Sequence, residues 1–537
     1  MELSKVSLCL VGALTLFGYA AWGATVSGVV QDSEGAPLKG AFVEARRTEG
    51  VQIRNFAVVV LSDKQGRYRI ENLSRGDYQL SAWKNGYEAT TPAAVELTDG
   101  QTVSRSLDLT KSKVRWTELS IHEGKMLLPD GPGKAVFFAK CIGCHGYQHQ
   151  VAAMRRDREG WRRAVRYMRE EMRAALWKFT DLEENVVADW FYKISGVHSD
   201  LPASPEEMPN FAEHGRDEFS DAAMNIVYRV YELPRTRMFP FSARPDGQGK
   251  IWIPFYHQNS AGMLDPQTGN LEIHYVHNPG DPLAGRRVAI HSVSPEDQVV
   301  WLAAADANKL GRLDRRTGEI GLIAPPPAPP PGGRLGRGSV HDVWSDSNGI
   351  VWTAGNPLQR FDPKTGEWNQ FREMPDTYGM VIDQNGDTWA TEFEPGGALG
   401  KVDGKTLKVT KYYPPNKKAH PRRVVADSKG NIWVGDWSGA LLRFDSKTKT
   451  FQEYKIPGVE PTPYAMQVDR NDNVWFTSHY NDYLGRLDPR TGEFTKYPLP
   501  VISDIGSREM FRDSQGRLWF ASPPNDKIIS FMPPAGM

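Results

Sequence analysis

The sequence predicts a multidomain, mainly β protein of 537 residues. Three observations lead to this prediction. Short stretches of alternating apolar and polar residues, separated by turn residues, occupy the first hundred positions. A tryptophan recurs every 37 to 51 residues through the C-terminal half, and between these two regions a helical stretch carries one C-x-x-C-H motif. We therefore expect a β-sandwich, a small all-α domain and a seven-bladed β-propeller in one chain.

Composition and the first residues limit the classes of partner. Lys+Arg and Asp+Glu both number 65, so no overall charge favours a nucleic acid. After Lys5, an apolar run covers residues 6–21 and is followed by small residues. This run is shorter than the ~20 residues that a bilayer crossing needs. We interpret residues 1–24 as a signal peptide and expect a periplasmic or secreted protein with no membrane span.

The first predicted domain covers residues 25–112. Residues 26–30 and 78–82 alternate in the manner of strands, and turn residues separate such runs, which predicts a small antiparallel sandwich. The order G-x-V-x-D-x-x-G-x-P-L, followed by D-x-x-G-x-Y and G-x-Y-x-L-x-A, resembles the carboxypeptidase regulatory-like domain. The resemblance implies a transthyretin-like sandwich that serves as an accessory module without catalysis of its own.

The second predicted domain, residues 116–200, contains Cys141-Ile142-Gly143-Cys144-His145. This spacing is typical of c-type haem attachment: the two thiols add to the two vinyl groups of one porphyrin, and the adjacent imidazole is an axial ligand of the iron. A redox dithiol or half of a zinc site is the alternative. The sequence offers neither a second pair of ligands at zinc spacing nor a thioredoxin-like context. We therefore expect one covalent haem c held by Cys141, Cys144 and His145.

The helices predicted around the motif resemble those of a class I cytochrome c domain. The run L-P-x-G-P-G-K precedes the motif, G-W-x-x-x-V-x-x-M follows it, and Thr180 and Glu183 predict a capping box for the last helix. The resemblance implies a methionine as the sixth iron ligand, and Met168 occupies the methionine of the second pattern. The alternatives are Met154, Met172, Met208, His149 and His198.

The third predicted domain, residues 224–537, follows a linker at residues 201–223. Seven tryptophans share one local context in it: Trp252, Trp301, Trp352, Trp389, Trp433, Trp475 and Trp519. A hairpin turn that begins with Asp follows each of the first six. A period of this length is typical of four-stranded propeller blades.

The seventh repeat lacks its outer strand, because the sequence ends shortly after residues 531–533. A copy of that strand stands before the first repeat, at residues 227–233. We expect it to complete the last blade and close the ring. Residues 325–338, which are rich in proline and glycine, are interpreted as a surface loop.

Polar and aromatic side chains are expected to line the central funnel of this propeller. They come from the innermost strands and from positions just after the tryptophans: Phe241, His257, Asp306, His341, Tyr378, Glu392, Arg422, Asp436, Tyr464, His479 and Arg508. Such a set suits a polar or anionic ligand.

The blade pattern D-x-x-G-x-[IVL]-W, followed by L-G-R-L-D-P-x-T-G-E, resembles the streptogramin B lyase-like propellers. The resemblance implies an elimination that opens a cyclic depsipeptide, with a Mg²⁺ ion and a glutamate–histidine set at the propeller mouth. Glu392 and His479 stand in the corresponding stretches, and with Arg422 they are the candidate catalytic residues. The closely spaced E-x-H of the lyases follows none of the seven tryptophans.

These features together predict a monohaem c-type cytochrome that exchanges electrons with a redox partner protein or a small-molecule donor or acceptor. The propeller would then be a platform for that ligand or partner. The alternatives are a lyase with an appended cytochrome and a non-catalytic protein that binds a glycan or peptide.

Overall fold

The computed structural model describes residues 23–48, 56–142, 145–170, 179–214, 219–277, 287–327, 340–501 and 506–534. Almost all of the predicted signal peptide, Cys144, Met172 and most of the loop at residues 325–338 lie outside these ranges. Within these ranges, no helix is both long and apolar enough to cross a membrane.

The described residues of the N-terminal part form nine strands in two sheets. They are β1 (Ala24–Asp32), β2 (Phe42–Arg47), β3 (Phe56–Leu61), β4 (Arg67–Leu73), β5 (Gly76–Trp83), β6 (Tyr87–Glu88), β7 (Ala93–Leu97), β8 (Thr102–Ser104) and β9 (Leu107–Lys111). One sheet has the order β4-β1-β9-β6, with β8 also on β1, and the other includes β3-β2-β5-β7. Val26, Val43 and Leu80 belong to the apolar core between them.

The predicted sandwich is confirmed, but its strands are not all antiparallel. β8 and β9 run parallel to β1, with Val26 opposite Val103 and Val30 opposite Leu107. The chain leaves β1 for the other sheet and returns by a crossover, and a crossover permits parallel pairing.

In the described residues after the sandwich, the α-helices are α1 (Ile121–Leu127), α2 (Pro132–Val136), α3 (Arg158–Glu170) and α4 (Asp181–Ser195). Two π-helical turns, Phe137–Cys141 and Gln148–Ala152, flank the C-x-x-C-H motif. The predicted capping box starts α4, because the Thr180 N–H donates to Glu183 Oε2 over 2.7 Å and the Glu183 N–H donates to Thr180 Oγ1 over 3.2 Å.

Aromatic side chains form the core of this helical part. Phe137, Trp161 and Trp190 are all buried in one cluster. α2 and α4 approach closely at Gly133, where an added Cβ would lie 2.3 Å from the Cβ of Trp190. Only glycine permits this approach, which fixes α2 and the adjoining Cys141 against α4.

Within the described residues, the C-terminal part forms seven blades of four antiparallel strands; six blades are separate sheets, and the last blade belongs to a larger sheet. Their strands are β10 (Tyr228–Glu232), β11 (Arg244–Pro245), β12 (Ile251–Phe255), β13 (Ser260–Leu264), β14 (Leu271–Tyr275), β15 (Ile290–Pro295), β16 (Val299–Ala304), β17 (Lys309–Asp314), β18 (Ile320–Ile323), β19 (Asp342–Ser345), β20 (Val351–Ala354), β21 (Leu358–Asp362), β22 (Glu367–Phe371), β23 (Thr377–Ile382), β24 (Thr388–Glu392), β25 (Leu399–Val402), β26 (Val409–Tyr412), β27 (Pro421–Ala426), β28 (Ile432–Asp436), β29 (Ala440–Asp445), β30 (Thr450–Lys455), β31 (Pro463–Val468), β32 (Val474–Ser478), β33 (Tyr483–Asp488), β34 (Glu493–Pro498), β35 (Met510–Arg512), β36 (Leu518–Ser522) and β37 (Lys527–Phe531).

The recurring tryptophan lies in the second strand of each blade. In most blades its indole N–H donates to the acidic residue of the preceding turn, as in Trp389 to Asp383 over 2.9 Å and Trp433 to Asp427 over 3.0 Å. Trp352 is the exception, because its buried Nε1 has no hydrogen-bond partner among the described residues. This bond ties the tryptophan to the turn six residues earlier. Because the unit is local, its repetition in the sequence predicts the blades.

The predicted ring closure is confirmed. β10 pairs with β37 in the last blade, with Tyr228 opposite Phe531. The other edge of β10 pairs with β3 of the sandwich, where Tyr228 lies opposite Val59. The last blade and one sandwich sheet therefore form one eight-stranded sheet, in the order β35-β36-β37-β10-β3-β2-β5-β7. This pairing covers an edge that would otherwise be exposed.

Candidate functional site

Polar contacts hold the helical part against the propeller. His479 Nε2 lies 2.9 Å from the carbonyl oxygen of Ile142, the second residue of the C-x-x-C-H motif. Glu460 accepts from Lys125 over 2.5 Å and lies 3.1 Å from His122 Nδ1. The hydrogen bond with His122, assisted by Lys125, lowers the pKa of Glu460 to about 2. The motif is therefore fixed relative to the propeller mouth.

Beside this contact, a cavity of about 860 Å³ lies between the helical part and the propeller. Its volume falls in the range of about 300–1,000 Å³ that is typical of small-molecule sites. The helical wall includes Phe137, Cys141, His145, Trp161, Met168 and Phe191. The propeller wall includes Phe239, Phe241, Tyr256, His257, His291, Asp306, His341, Tyr378, Phe393, Arg422, Tyr464 and Arg508.

The hydrogen bond of the His145 imidazole determines which ring nitrogen carries the proton. Its Nδ1 lies 2.7 Å from the carbonyl oxygen of Gly146. A carbonyl oxygen only accepts, so the proton is on Nδ1 and the lone pair is on Nε2. Burial lowers the pKa of His145, and Arg508 lowers it further. A backbone carbonyl on the other ring nitrogen is the usual support for a ligating histidine.

Met168 is the candidate sulfur that lines the cavity. It lies on α3, in the helical wall. Met154 and Met208 pack instead against the helical core. His198 is exposed, and His149 is not part of the cavity wall. Among the alternatives that fall within the described residues, Met168 is therefore the one that lines the cavity.

Three residues expected in the funnel do not line the cavity. Glu392 is paired with Lys411 over 2.5 Å, and burial raises the pKa of Glu392. Asp436 accepts the backbone N–H of His420 over 2.6 Å. His479 Nε2 is hydrogen-bonded to the Ile142 carbonyl. Strand and turn positions alone did not reveal that these polar groups bind neighbouring chain segments.

No cluster of three or more His, Cys, Asp or Glu side chains in the described part of the chain is arranged to hold a metal ion. Glu392 and His479 therefore do not form part of such a cluster.

Arg422 does line the cavity, inside a cage of aromatic rings. Its Nη2 donates to the hydroxyls of Tyr378 over 2.9 Å and Tyr464 over 2.7 Å. Its guanidinium carbon lies 3.6 Å from the ring centre of Trp437 and 4.4 Å from that of Phe393. Ring faces stabilise a cation at these distances.

His291 is a cavity residue that the sequence interpretation missed. Its ring centre lies 4.0 Å from that of His341. In the other blades the innermost strand was located from the Asp of D-x-x-G, but here Glu296 replaces that Asp. Glu296 nevertheless accepts from Trp301 Nε1 over 2.9 Å, as the aspartates do in other blades. Glu296, five residues after His291, was the available signal.

These features define a seven-bladed β-propeller with a helical segment over its mouth and a sandwich on its last blade. Residues 25–110 match the carboxypeptidase regulatory-like domain, and residues 363–533 match the Virginiamycin B lyase family.

Solved structures similar to this chain cover somewhat more than half of it. A streptogramin B lyase is 20% identical, with 58% of this chain and 99% of that chain covered and a TM-score of 0.49. Virginiamycin B lyase from Staphylococcus aureus is 19% identical, with 57% and 99% covered and a TM-score of 0.49. Hydrazine synthase of Kuenenia stuttgartiensis is 11% identical, with 57% and 98% covered and a TM-score of 0.45. A search among curated proteins finds no match.

Proposed function

We propose that this protein is a periplasmic or secreted c-type cytochrome that transfers electrons at the mouth of its propeller. One haem would be attached through Cys141 and Cys144, with His145 as an axial ligand. The observation that carries the proposal is that Cys141 and His145 line the same cavity as the propeller mouth. The apolar run near the start of the sequence supports export.

The residues of the cavity fit a covalent haem. His145 would hold the iron through its Nε2 lone pair, and Met168 would offer a thioether as a second protein ligand. Phe137, Trp161 and Phe191 give the helical wall the apolar surface that a porphyrin needs. When bound, the haem supplies reversible one-electron chemistry.

The propeller wall sets the environment of that electron transfer. Its aromatic side chains exclude water, while Arg422 and Arg508 place positive charge beside the cavity. Positive charge favours the electron-rich, reduced state of a nearby redox centre. The contact between the motif and the propeller mouth favours a small-molecule donor or acceptor that enters the cavity.

Covalent attachment is the direct test. The full chain, produced with the haem-attachment machinery, should give a c-type pyridine haemochrome and a mass increase of one haem. The Cys141→Ser/Cys144→Ser variant should lose both signals. Release of the haem into acid acetone, or a wild-type protein without haem, would overturn the proposal.

A lyase is the second candidate, because residues 363–533 match the Virginiamycin B lyase family. In this arrangement Glu392 would have to leave Lys411, and His479 would have to leave the Ile142 carbonyl. Mg²⁺-dependent opening of a cyclic depsipeptide, lost in both Glu392→Gln and His479→Asn, would establish the lyase. Absence of turnover across a range of Mg²⁺ concentrations would exclude that substrate class.

A further inference from the structure

Arg422 is a buried cation that no carboxylate neutralises within the described residues. Its side chain is about 5% exposed and belongs to the cavity wall. Nη2 binds two tyrosine hydroxyls, and Nε is buried without a hydrogen-bond partner. Because buried charges in proteins are paired, this guanidinium has the environment of a group that awaits an anion.

The carboxylates of the cavity wall are engaged elsewhere. Asp306 forms an ion pair with Arg287. Asp526 accepts the backbone N–H groups of Arg237 and Phe239 over 2.5 and 2.8 Å. The anion that would neutralise the charge of Arg422 therefore comes from a molecule that occupies the cavity.

The surroundings of Arg422 also indicate the shape of that molecule. The ring centres of Tyr378 and Tyr464 lie 4.5 and 4.1 Å from its guanidinium carbon. The Arg508 guanidinium lies 5.0 Å from the ring centre of the same Tyr464. Flat aromatic walls beside a planar guanidinium suit a planar organic group that bears a carboxylate.

We propose that the propeller wall is a carboxylate-binding site centred on Arg422. The carboxylate can come from two sources: a free planar acid in the cavity or a propionate of the haem itself. The second source rests on the proposed function, and the inference thereby deepens it. The recognition chemistry is the same in both cases, and it does not require the haem to be the source.

Calorimetric titration of the full-length protein with benzoate is the test, with uncharged benzamide as the comparison ligand. Arg422→Gln removes the positive charge from the propeller wall. Arg422→Lys keeps the charge but loses the planar guanidinium, which can donate two parallel hydrogen bonds to a carboxylate. Arg237→Gln, which removes an exposed charge from the cavity rim, is the matched control. Circular dichroism checks the fold of each variant.

A free acid is the source if benzoate binds and benzamide does not. Arg422→Gln should then weaken benzoate binding by about tenfold or more, Arg422→Lys by less, and Arg237→Gln by under about twofold. The haem propionate is the source if benzoate does not bind and Arg422→Gln shifts the midpoint potential while Arg237→Gln does not.

Folded Arg422→Gln with unchanged benzoate affinity and unchanged midpoint potential overturns the inference. Arg422-dependent benzoate binding by protein without haem would leave the site standing and refute only the proposed cytochrome.

Discussion

The Nε2–H of His479 donates to the carbonyl oxygen of Ile142 over 2.9 Å, across 337 residues of sequence. Burial, with Arg508 as the next contribution, lowers the pKa of His479 to about 3, so its ring is neutral and carries a single proton. The ring also stacks on Trp437, with the centroids 5.9 Å apart. The sixth blade therefore orients the segment between the two cysteines of the motif.

Replacement of His479 should separate this hydrogen bond from simple packing. His479→Leu leaves the Ile142 carbonyl without its donor and should lower the free energy of unfolding by about 1–3 kcal/mol. His479→Gln retains an amide donor and should lose less. Chemical denaturation of the two variants measures the difference, and equal stabilities would show that the bond contributes nothing.

Met168→Ala should abolish the weak near-infrared charge-transfer band of methionine-ligated ferric haem and lower the midpoint potential, because a thioether ligand raises it. Met154→Ala and Met208→Ala remove core contacts and should keep the band while reducing stability. A band that survives in Met168→Ala but disappears in Met172→Ala or Met208→Ala would identify a different sulfur.

The strand that closes the ring can be tested by one substitution at two positions. Val230 is 1% exposed and pairs with Ile529, whereas Val227 is 45% exposed. Val230→Lys buries an unpaired charge and should destabilise the protein by more than about 3 kcal/mol or prevent folding. Val227→Lys should change stability by less than about 0.5 kcal/mol. Similar thermal unfolding of the two variants would refute closure through this strand.

His420 should make stability depend on pH. Burial, with Arg422 as the next contribution, lowers its pKa to about 4 in the folded protein, below the ordinary value of 6.5. Between these values the unfolded chain binds more protons, so stability falls as the pH is lowered from 6.5 to 4. The loss is at most about 1.4 kcal/mol per pH unit for this group.

The matched variant is His420→Phe. In the wild type the ring centres of His420 and Phe393 lie 4.3 Å apart, and phenylalanine keeps an aromatic ring in this stack. Urea denaturation at several pH values should give a shallower slope for this variant than for the wild type. Identical slopes would mean that the pKa of His420 is the same in the folded and unfolded states.

The repeated blade was predictable because its determinants are local. Trp433 bonds to Asp427, six residues away, and the hairpin turn after it closes within five residues, from Asp445 to Lys449. The same range explains the capping box at Thr180. In contrast, Glu392 and Asp436 were assigned to the funnel from their strand positions, and their actual partners, Lys411 and His420, lie on other strands or loops.

The sequence by itself determined the seven blades, the sandwich and the C-x-x-C-H motif, since each depends on residues a few positions apart. Only the tertiary structure decided that Cys141 and His145 lie with the propeller mouth around one cavity, and that β3 of the sandwich pairs with β10 of the last blade. Such contacts join segments that are far apart in the sequence. They depend on shape and on complementary donors and acceptors, for which the sequence has no periodic signal.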